Sequence, residues 1–285
     1  MQVLVKEASL KRRIAYLKSK GNTIGFVPTM GALHKGHLSL IEKSKSKCDI
    51  TICSIFVNPT QFNNKEDLVK YPRTLEEDRL KLKNAGTDIL FAPTESVVYP
   101  ENVNLNVDLN LEGLDNKWEG EFRPGHFKGV VQVVKRLLDI VQPDCLFMGQ
   151  KDFQQFTIIQ MMLEKLHINT KLIVVPIYRE NDGLAMSSRN VRLSKDNRKK
   201  SAILYKSLKF AKENFGKIPV KAIEAKAIEM IKNSGLKPEY FKLVDAKKLD
   251  PVGKNKKNGV IAIVAAWAGD VRLIDNIIIG GLSDN

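Results

Sequence analysis

The stretch FVPTMGALHKGHLSLI, residues 26–41, decides the fold. It runs from an apolar strand end through Gly31 and Gly36 into helical spacing, and it carries His34 and His37. Residues 23–28 read as a buried strand and residues from about 35 to 47 as a helix, so the stretch is a strand-to-helix turn. The frame from Gly31 to Gly36 almost spells a phosphate loop, G-x-x-x-x-G, but His37-Leu38 stands where Lys-Ser/Thr should follow. A helix start offers unpaired amides and a partial positive charge, which suit a phosphate. Histidines at i and i+3 project from nearly one face, and an imidazole can donate a hydrogen bond to a phosphoryl oxygen. The pattern suits stabilisation of charge developing on an α-phosphate under attack. The plainer alternative is two rings that cap a helix or fill a corner. A metal pair would want a third His or Cys ligand cluster, and none accompanies it.

Outward from this turn, short apolar runs alternate with amphipathic segments. ITICSIFV (50–57), TDILFAP (87–93), DCLFMG (144–149) and KLIVVPI (171–177) read as strands. LEEDRLKLKNAG (75–86, closed by Gly86), HFKGVVQVVKRLLDIV (126–141) and FQQFTIIQMMLEKL (153–166) read as helices. Val103, Leu105, Val107, Leu109 and Leu111 alternate with polar residues and predict a strand with one wet face. The alternation predicts an α/β fold, a doubly wound, Rossmann-like parallel sheet of right-handed βαβ units, with ligands beyond the carboxyl ends of its strands. After about residue 178 helices dominate (195–234), followed by YFKLVD, GVIAIVAAW and VRLIDNIII as strands. Two domains are expected: 1–177, Rossmann-like and ligand-binding, and 178–285, a smaller α+β unit.

The 285 residues are 43% hydrophobic, enough for a sizeable core, with no apolar run long enough to span a bilayer. The N-terminus lacks the apolar region of a signal peptide, so no membrane partner and a cytoplasmic location are expected. The net charge of +14 suggests nucleic acid. Yet the lysines are scattered, KNKKN at 254–258 is the one dense cluster, and no aromatics interleave with it for stacking. No nucleic-acid partner is expected; steering of an anionic substrate such as ATP fits better. An RNA-binding module would show affinity that falls steeply with salt and no ATP consumption. Cys48, Cys53 and Cys145, without a C-x-x-C, read as small core residues in a reducing compartment.

Several further stretches carry chemistry-bearing residues. SIFVNPTQF (54–62) ends a strand with Asn58 and Gln61, neutral donors and acceptors for a small polar ligand, or a plain Asn-Pro turn. YPRTLEED (71–78) places Glu77 and Asp78 in a first helical turn, where carboxylates commonly complement the helix dipole. FRPGHF (122–127) puts Arg123 and His126 on a Pro-Gly loop. FMGQKDFQQF (147–156) follows a strand with Gly149, Gln150, Lys151, Asp152 and Gln155; the lysine is a point-charge partner for phosphate or a solvated helix-start residue. DGLAMSSRN (182–190) combines a turn glycine with Ser187, Ser188 and Arg189, a polyphosphate clamp or an ordinary loop.

H-K-G-H resembles the H-x-G-H signature of the nucleotidyltransferase superfamily, and PTMGALHKGHLSLI is closer still to the pantothenate synthetase (pantoate–β-alanine ligase) family. The 182–190 loop resembles that superfamily's K-M-S-K-S loop with Ser and Arg for the lysines. The stretches above, and VAAWAGDVRLIDN (264–276), resemble the family's segments in the same order over nearly the whole chain. Gln150 stands where the family often has Glu.

The resemblance implies a ligase that condenses pantoate with β-alanine at the expense of ATP, through pantoyl adenylate, releasing AMP and pyrophosphate. The substrate carboxylate is the first nucleophile, so no Ser or Cys nucleophile is needed. It implies His34 and His37 at the α-phosphate, His37 being the proton donor. Lys151, Ser187, Ser188 and Arg189 are implied at the β- and γ-phosphates. Met30, Gly31, Ala32, Leu33, His34, Lys35, Gly36, His37, Gly149, Gln150, Lys151, Asp152, Tyr178 and Met186 would line the nucleotide. Gln61 and Gln155 would bind pantoate, Gln61 and Asn58 β-alanine, and Glu77 and Asp78 would carry Mg²⁺. A homodimer is expected. An adenylyl- or cytidylyltransferase that keeps the nucleotide on its product is the alternative, separated by product identity.

Overall fold

The structure, a computed structural model, describes residues 1–101, 103–252 and 258–280. The lysine-rich cluster that begins at 254 lies outside the described residues except for Asn258. The chain divides into two compact units, 1–150 with 154–176, and 151–153 with 177–285.

The first unit is built on six parallel strands: β1 (Gln2–Leu4), β2 (Ile24–Thr29), β3 (Ile50–Ile55), β4 (Ile89–Phe91), β5 (Cys145–Gly149) and β6 (Lys171–Val175). Their order is β1-β4-β3-β2-β5-β6, and every pairing is parallel. The central strands are almost wholly apolar because helices cover both faces. Phe26, Val27, Ile52, Cys53, Leu90, Leu146 and Phe147 are fully buried. From β2 the chain winds outward to β3 and β4 on one side; β5 and β6 lie on the other. The switch point is therefore between β2 and β5, and their carboxyl ends open the crevice where ligands bind in such sheets.

The second unit holds three antiparallel strands, β7 (Lys237–Asp245), β8 (Val260–Ala268) and β9 (Val271–Ile278), with β8 in the middle. Alternate residues of β8 (Val260, Ala262, Val264, Ala266) pack on Leu204, Leu208, Ile223 and Ile231 of the helices Ile203–Asn214 and Val220–Asn233.

The predicted strand at 103–111 does not form. Leu105, Val107 and Leu109 are half-buried between exposed neighbours, so the alternation is real, but the segment joins neither sheet. The asparagines account for this: Asn106 N–H donates to the Asn104 side chain at 3.0 Å and Glu112 N–H to that of Asn110 at 2.8 Å. Such local bonds compete with a ladder. Among the elements that escaped the sequence reading are β1 and the helix Glu7–Ser19, which buries Leu10, Ile14 and Leu17 at helical spacing.

Candidate active site

β2 ends at Thr29, whose hydroxyl donates to Ser54 O at 2.8 Å and accepts Gly31 N–H at 3.2 Å. The chain then turns through two left-handed residues, Gly31 (φ 81°) and Ala32 (φ 50°). For alanine that conformation costs about 1–2 kcal/mol. The turn is held from the helix Leu75–Asn84: Asp78 accepts Ala32 N–H at 2.8 Å and Leu33 N–H at 2.7 Å, and Lys81 donates to Leu33 O at 3.0 Å.

His34 is the N-cap of the helix Lys35–Lys45. Its Nδ1 accepts Gly36 N–H at 3.1 Å, and His37 Nδ1 accepts His34 N–H at 3.3 Å. This is a capping box made with imidazoles in place of hydroxyl and carboxylate. The ring centroids are 4.1 Å apart. Because a backbone N–H points at each Nδ1, neither carries hydrogen there, and each neutral ring is protonated on Nε2. The phosphate-loop expectation changes accordingly. The amides of Gly31, Ala32, Leu33, His34 and Gly36 are spent on the chain's own side chains, so these five are not offered to a phosphate.

Beyond β3, Asn58 caps the 3₁₀ turn Pro59–Gln61. Its Nδ2 donates to Gln61 Oε1 and to Gly129 O, both at 3.2 Å; its Oδ1 accepts Tyr99 OH at 2.7 Å and the Thr60 hydroxyl at 3.1 Å. Asn58 is thus buried with both ends of its amide engaged. One of those bonds ties it to Gln61. Gln61 Nε2 donates to Met30 Sδ at 3.0 Å, which ties this glutamine to the histidine turn. His126 holds the same residue from behind: its Nδ1 lies 2.8 Å from Gln61 O and its Nε2 3.1 Å from Arg123 Nη1. A carbonyl can only accept, so His126 carries its proton on Nδ1, the tautomer opposite to the other pair. Gly129 lets its helix approach, since a Cβ there would come within 2.4 Å of Thr60 O.

β5 ends at Gly149, over which a Cβ would meet nothing within 4 Å, and Gln150 N–H donates to Val175 O at 2.8 Å. Gln154 is buried, bonded to Leu114 O and Lys117 O, while Gln155 on the same helix is half-buried.

In the second unit, Lys151 Nζ lies 3.7 Å from the half-exposed Asp152, and Asn276 Nδ2 donates to Lys151 O at 2.9 Å. Arg179 binds both oxygens of the buried Asp275 (2.6 and 3.0 Å) and the carbonyl of Asn276 (3.1 Å), and stacks over Tyr205 at 4.0 Å. Burial pushes the Asp275 carboxyl up against the pull of Arg179. Arg179 pairs with Ala185 in a tight hairpin; Arg198 grips Asp182 at its tip and holds that carboxyl below its ordinary value. Met186 N–H bonds the carbonyl of the exposed Tyr178 at 3.0 Å. Ser187 caps the turn that carries Ser188 and Arg189. The phosphate-clamp candidates Ser187, Ser188 and Arg189 therefore follow directly on a pinned hairpin.

Glu77 and Asp78 do not come together as metal ligands. Glu77 is exposed, 3.8 Å from Lys81, whereas Asp78 is fully buried with both oxygens on backbone amides. Asp78 does not fit a magnesium site. Among the described residues no group of three or more His, Cys, Asp or Glu side chains is placed to hold a metal ion. Burial pushes the thiols of the half-buried Cys48 and the buried Cys53 up to about 12. No helix among the described residues is long and apolar enough to cross a membrane.

A parallel sheet with a switch point, and a histidine pair capping the helix that follows β2, mark an α/β fold of the nucleotide-binding kind. The sequence profile of pantoate–β-alanine ligases matches residues 2–278. The chain belongs to the pantoate–β-alanine ligase family. It is 41% identical over 278 residues to a pantothenate synthetase of Vibrio cholerae (97% of this chain, 94% of the relative) and 45% identical to one of Christiangramia forsetii (97% and 99%). A crystal structure of pantothenate synthetase from Thermus thermophilus superposes with a TM-score of 0.92 at 38% identity, covering 99% of this chain and all of that one. A pantoate–β-alanine ligase from Francisella tularensis, described as complexed with "Beta-gamma ATP and Beta-alanine", gives a TM-score of 0.82 at 37% identity, covering 98% and 97%.

Proposed function

We propose that the ATP-dependent condensation of pantoate with β-alanine, the reaction of this family, runs here through pantoyl adenylate. A pantoate carboxylate oxygen attacks the α-phosphorus, the bond from that phosphorus to the bridging oxygen breaks, and pyrophosphate leaves. The β-alanine amine then attacks the acyl carbon; the C–N bond forms, AMP departs with its oxygen, and the amine loses a proton. The observation that carries this reading is the imidazole capping box, whose Nε2–H groups supply fixed donors where charge develops on the α-phosphate. His37 is the proton donor and His34 its partner.

Lys151, Ser187, Ser188 and Arg189 hold the β- and γ-phosphates and the departing pyrophosphate. Met30 to Gly36, Gly149 to Asp152, Tyr178 and Met186 line the nucleotide. Gln61 and Gln155 bind pantoate, and Gln61, set by Asn58, meets β-alanine. Mg²⁺, as partner of the triphosphate, supplies neutralisation of its oxygens, and of the two carboxylates expected to meet it only Glu77 is exposed. The assembly is a homodimer and the setting cytoplasmic; a light-scattering mass of twice the 32.1 kDa chain is the expected result for the dimer, and a mass of one chain overturns it.

The deciding experiment is incubation with ATP, Mg²⁺, pantoate and β-alanine, each omitted in turn. AMP accumulates only in the complete mixture, apart from a single enzyme-bound turnover without the amine. Steady AMP release without β-alanine, or a nucleotide retained on the product, overturns the reading.

A further inference from the structure

We propose that Asp78 is a positioning residue for the histidine pair, a built-in anion that holds the turn in front of His34, and not a ligand of the magnesium ion. The inference rests on the reading above that these imidazoles act on the α-phosphate.

Successive amides that point one way form a concavity for an anion. Ala32 and Leu33 present such a pair, and the Asp78 carboxylate fills it with one oxygen on each, at 2.8 and 2.7 Å. The carboxylate is completely buried, and the Thr74 hydroxyl donates to it at 3.2 Å. Lys81, one turn along the same helix, lies 3.8 Å from Asp78 Oδ1 and donates to Leu33 O. Thus one helix face grips both the amide and the carbonyl of the residue preceding His34. The space is tight: a Cβ at Gly31 would sit 3.2 Å from Asp78 Oδ2 and 3.1 Å from Ile55. The grip also compensates the left-handed Ala32, a backbone state that persists only where its surroundings over-determine it. Release of the carboxylate lets the turn relax, and the imidazole cap that follows it directly in the chain shifts with it.

Asp78→Asn tests this, because the amide keeps the size but can accept only one of the two N–H groups and points a donor at the other. The measured quantities are pantoate-dependent ATP–pyrophosphate exchange across a Mg²⁺ titration, melting temperature without ligands, and ¹⁵N NMR of the two imidazoles. The expected result is a fall in kcat of about 10- to 100-fold that saturating Mg²⁺ does not restore. The Mg²⁺ half-saturation stays as in the wild type, and the His34 and His37 nitrogen shifts move in the ligand-free protein. Restoration of kcat by raised Mg²⁺ overturns the proposal in favour of a metal ligand; unchanged kcat and unchanged shifts overturn it outright. Should Asp78→Asn fail to fold, Lys81→Met decides, since Lys81 is partly exposed and the Asp78 carboxylate keeps both backbone amides and the Thr74 hydroxyl without it. It should lower kcat several-fold at unchanged Mg²⁺ half-saturation, and wild-type kcat in that variant overturns the proposal. Failure of the underlying reading is separate: it shows as absence of pyrophosphate exchange in the wild type, while the imidazole shifts still report the clamp.

Discussion

In the His34–His37 pair each Nδ1 closes the helix end, and the proposed reaction gives each Nε2–H a second job at the α-phosphate. The jobs can be separated by substitution. His37→Asn places an amide oxygen near the Nδ1 position and can keep the His34 N–H satisfied, but nothing reaches where Nε2 was. It should retain most of the melting temperature and lose roughly 10²-fold in pyrophosphate exchange, the size of effect seen when one transition-state donor is removed. His37→Ala should lose that rate and also about 1 kcal/mol of stability, the worth of a helix cap. A His37→Asn variant with near-normal exchange removes Nε2 from the chemistry. The pair was legible in the sequence because i, i+3 spacing fixes a shared face. Which nitrogen serves which job was not, since that depends on the amides each ring meets. What Asp78 meets was not legible for a related reason. A carboxylate in a first helical turn looks alike whether solvated, metal-bound or buried, and its partners lie 46 and 45 residues away.

Among the elements, β2, β3 and β5 were readable because burial on both faces demands uninterrupted apolar runs. The segment 103–111 misled because alternation reports one half-buried face and says nothing about a neighbouring backbone to pair with. Networks between elements were the least legible: Tyr99 lies in a stretch with no motif, yet its hydroxyl reaches Asn58, which sets Gln61. Tyr99→Phe deletes one neutral hydrogen bond, worth about 1 kcal/mol. If Gln61 binds pantoate, the KM for pantoate should rise about five-fold while kcat stays close to wild type; an unchanged KM disconnects Tyr99 from the substrate. In the other unit, the hairpin before Ser187 depends on Arg198 and Asp182. The Arg198 hydrogen bond lowers the folded-state pKa of Asp182, so its contribution to stability is present above the ordinary carboxylate range and is lost as pH falls through the lowered value. Asp182→Asn should therefore melt below the wild type at neutral pH. The gap should hold down to about pH 5 and close below about pH 4, as thermal melts across pH will show; a gap independent of pH assigns it to packing and not charge.

On the scale of the whole molecule, 46 basic residues against 32 acidic ones give a surplus of +14 that no dense described patch accounts for. Spread charge of this kind binds nucleic acid poorly, because counterion release needs several phosphates neutralised together along one track. It acts well on a small polyanion, whose approach is biased by the summed field. The field reaches about 10 Å at 0.1 M salt and about 3 Å at 1 M, so any steering must fade over that range. Contacts between buried groups are screened far less. Raising KCl from roughly 0.05 to 0.5 M should accordingly lower kcat/KM for ATP several-fold and leave kcat nearly constant. β-Alanine, a zwitterion without net charge, provides the internal control, and its kcat/KM should move little. A parallel fall for both substrates points to a general salt effect on the fold. A fall confined to ATP identifies the basic surface as the part of the sequence that serves the nucleotide from a distance.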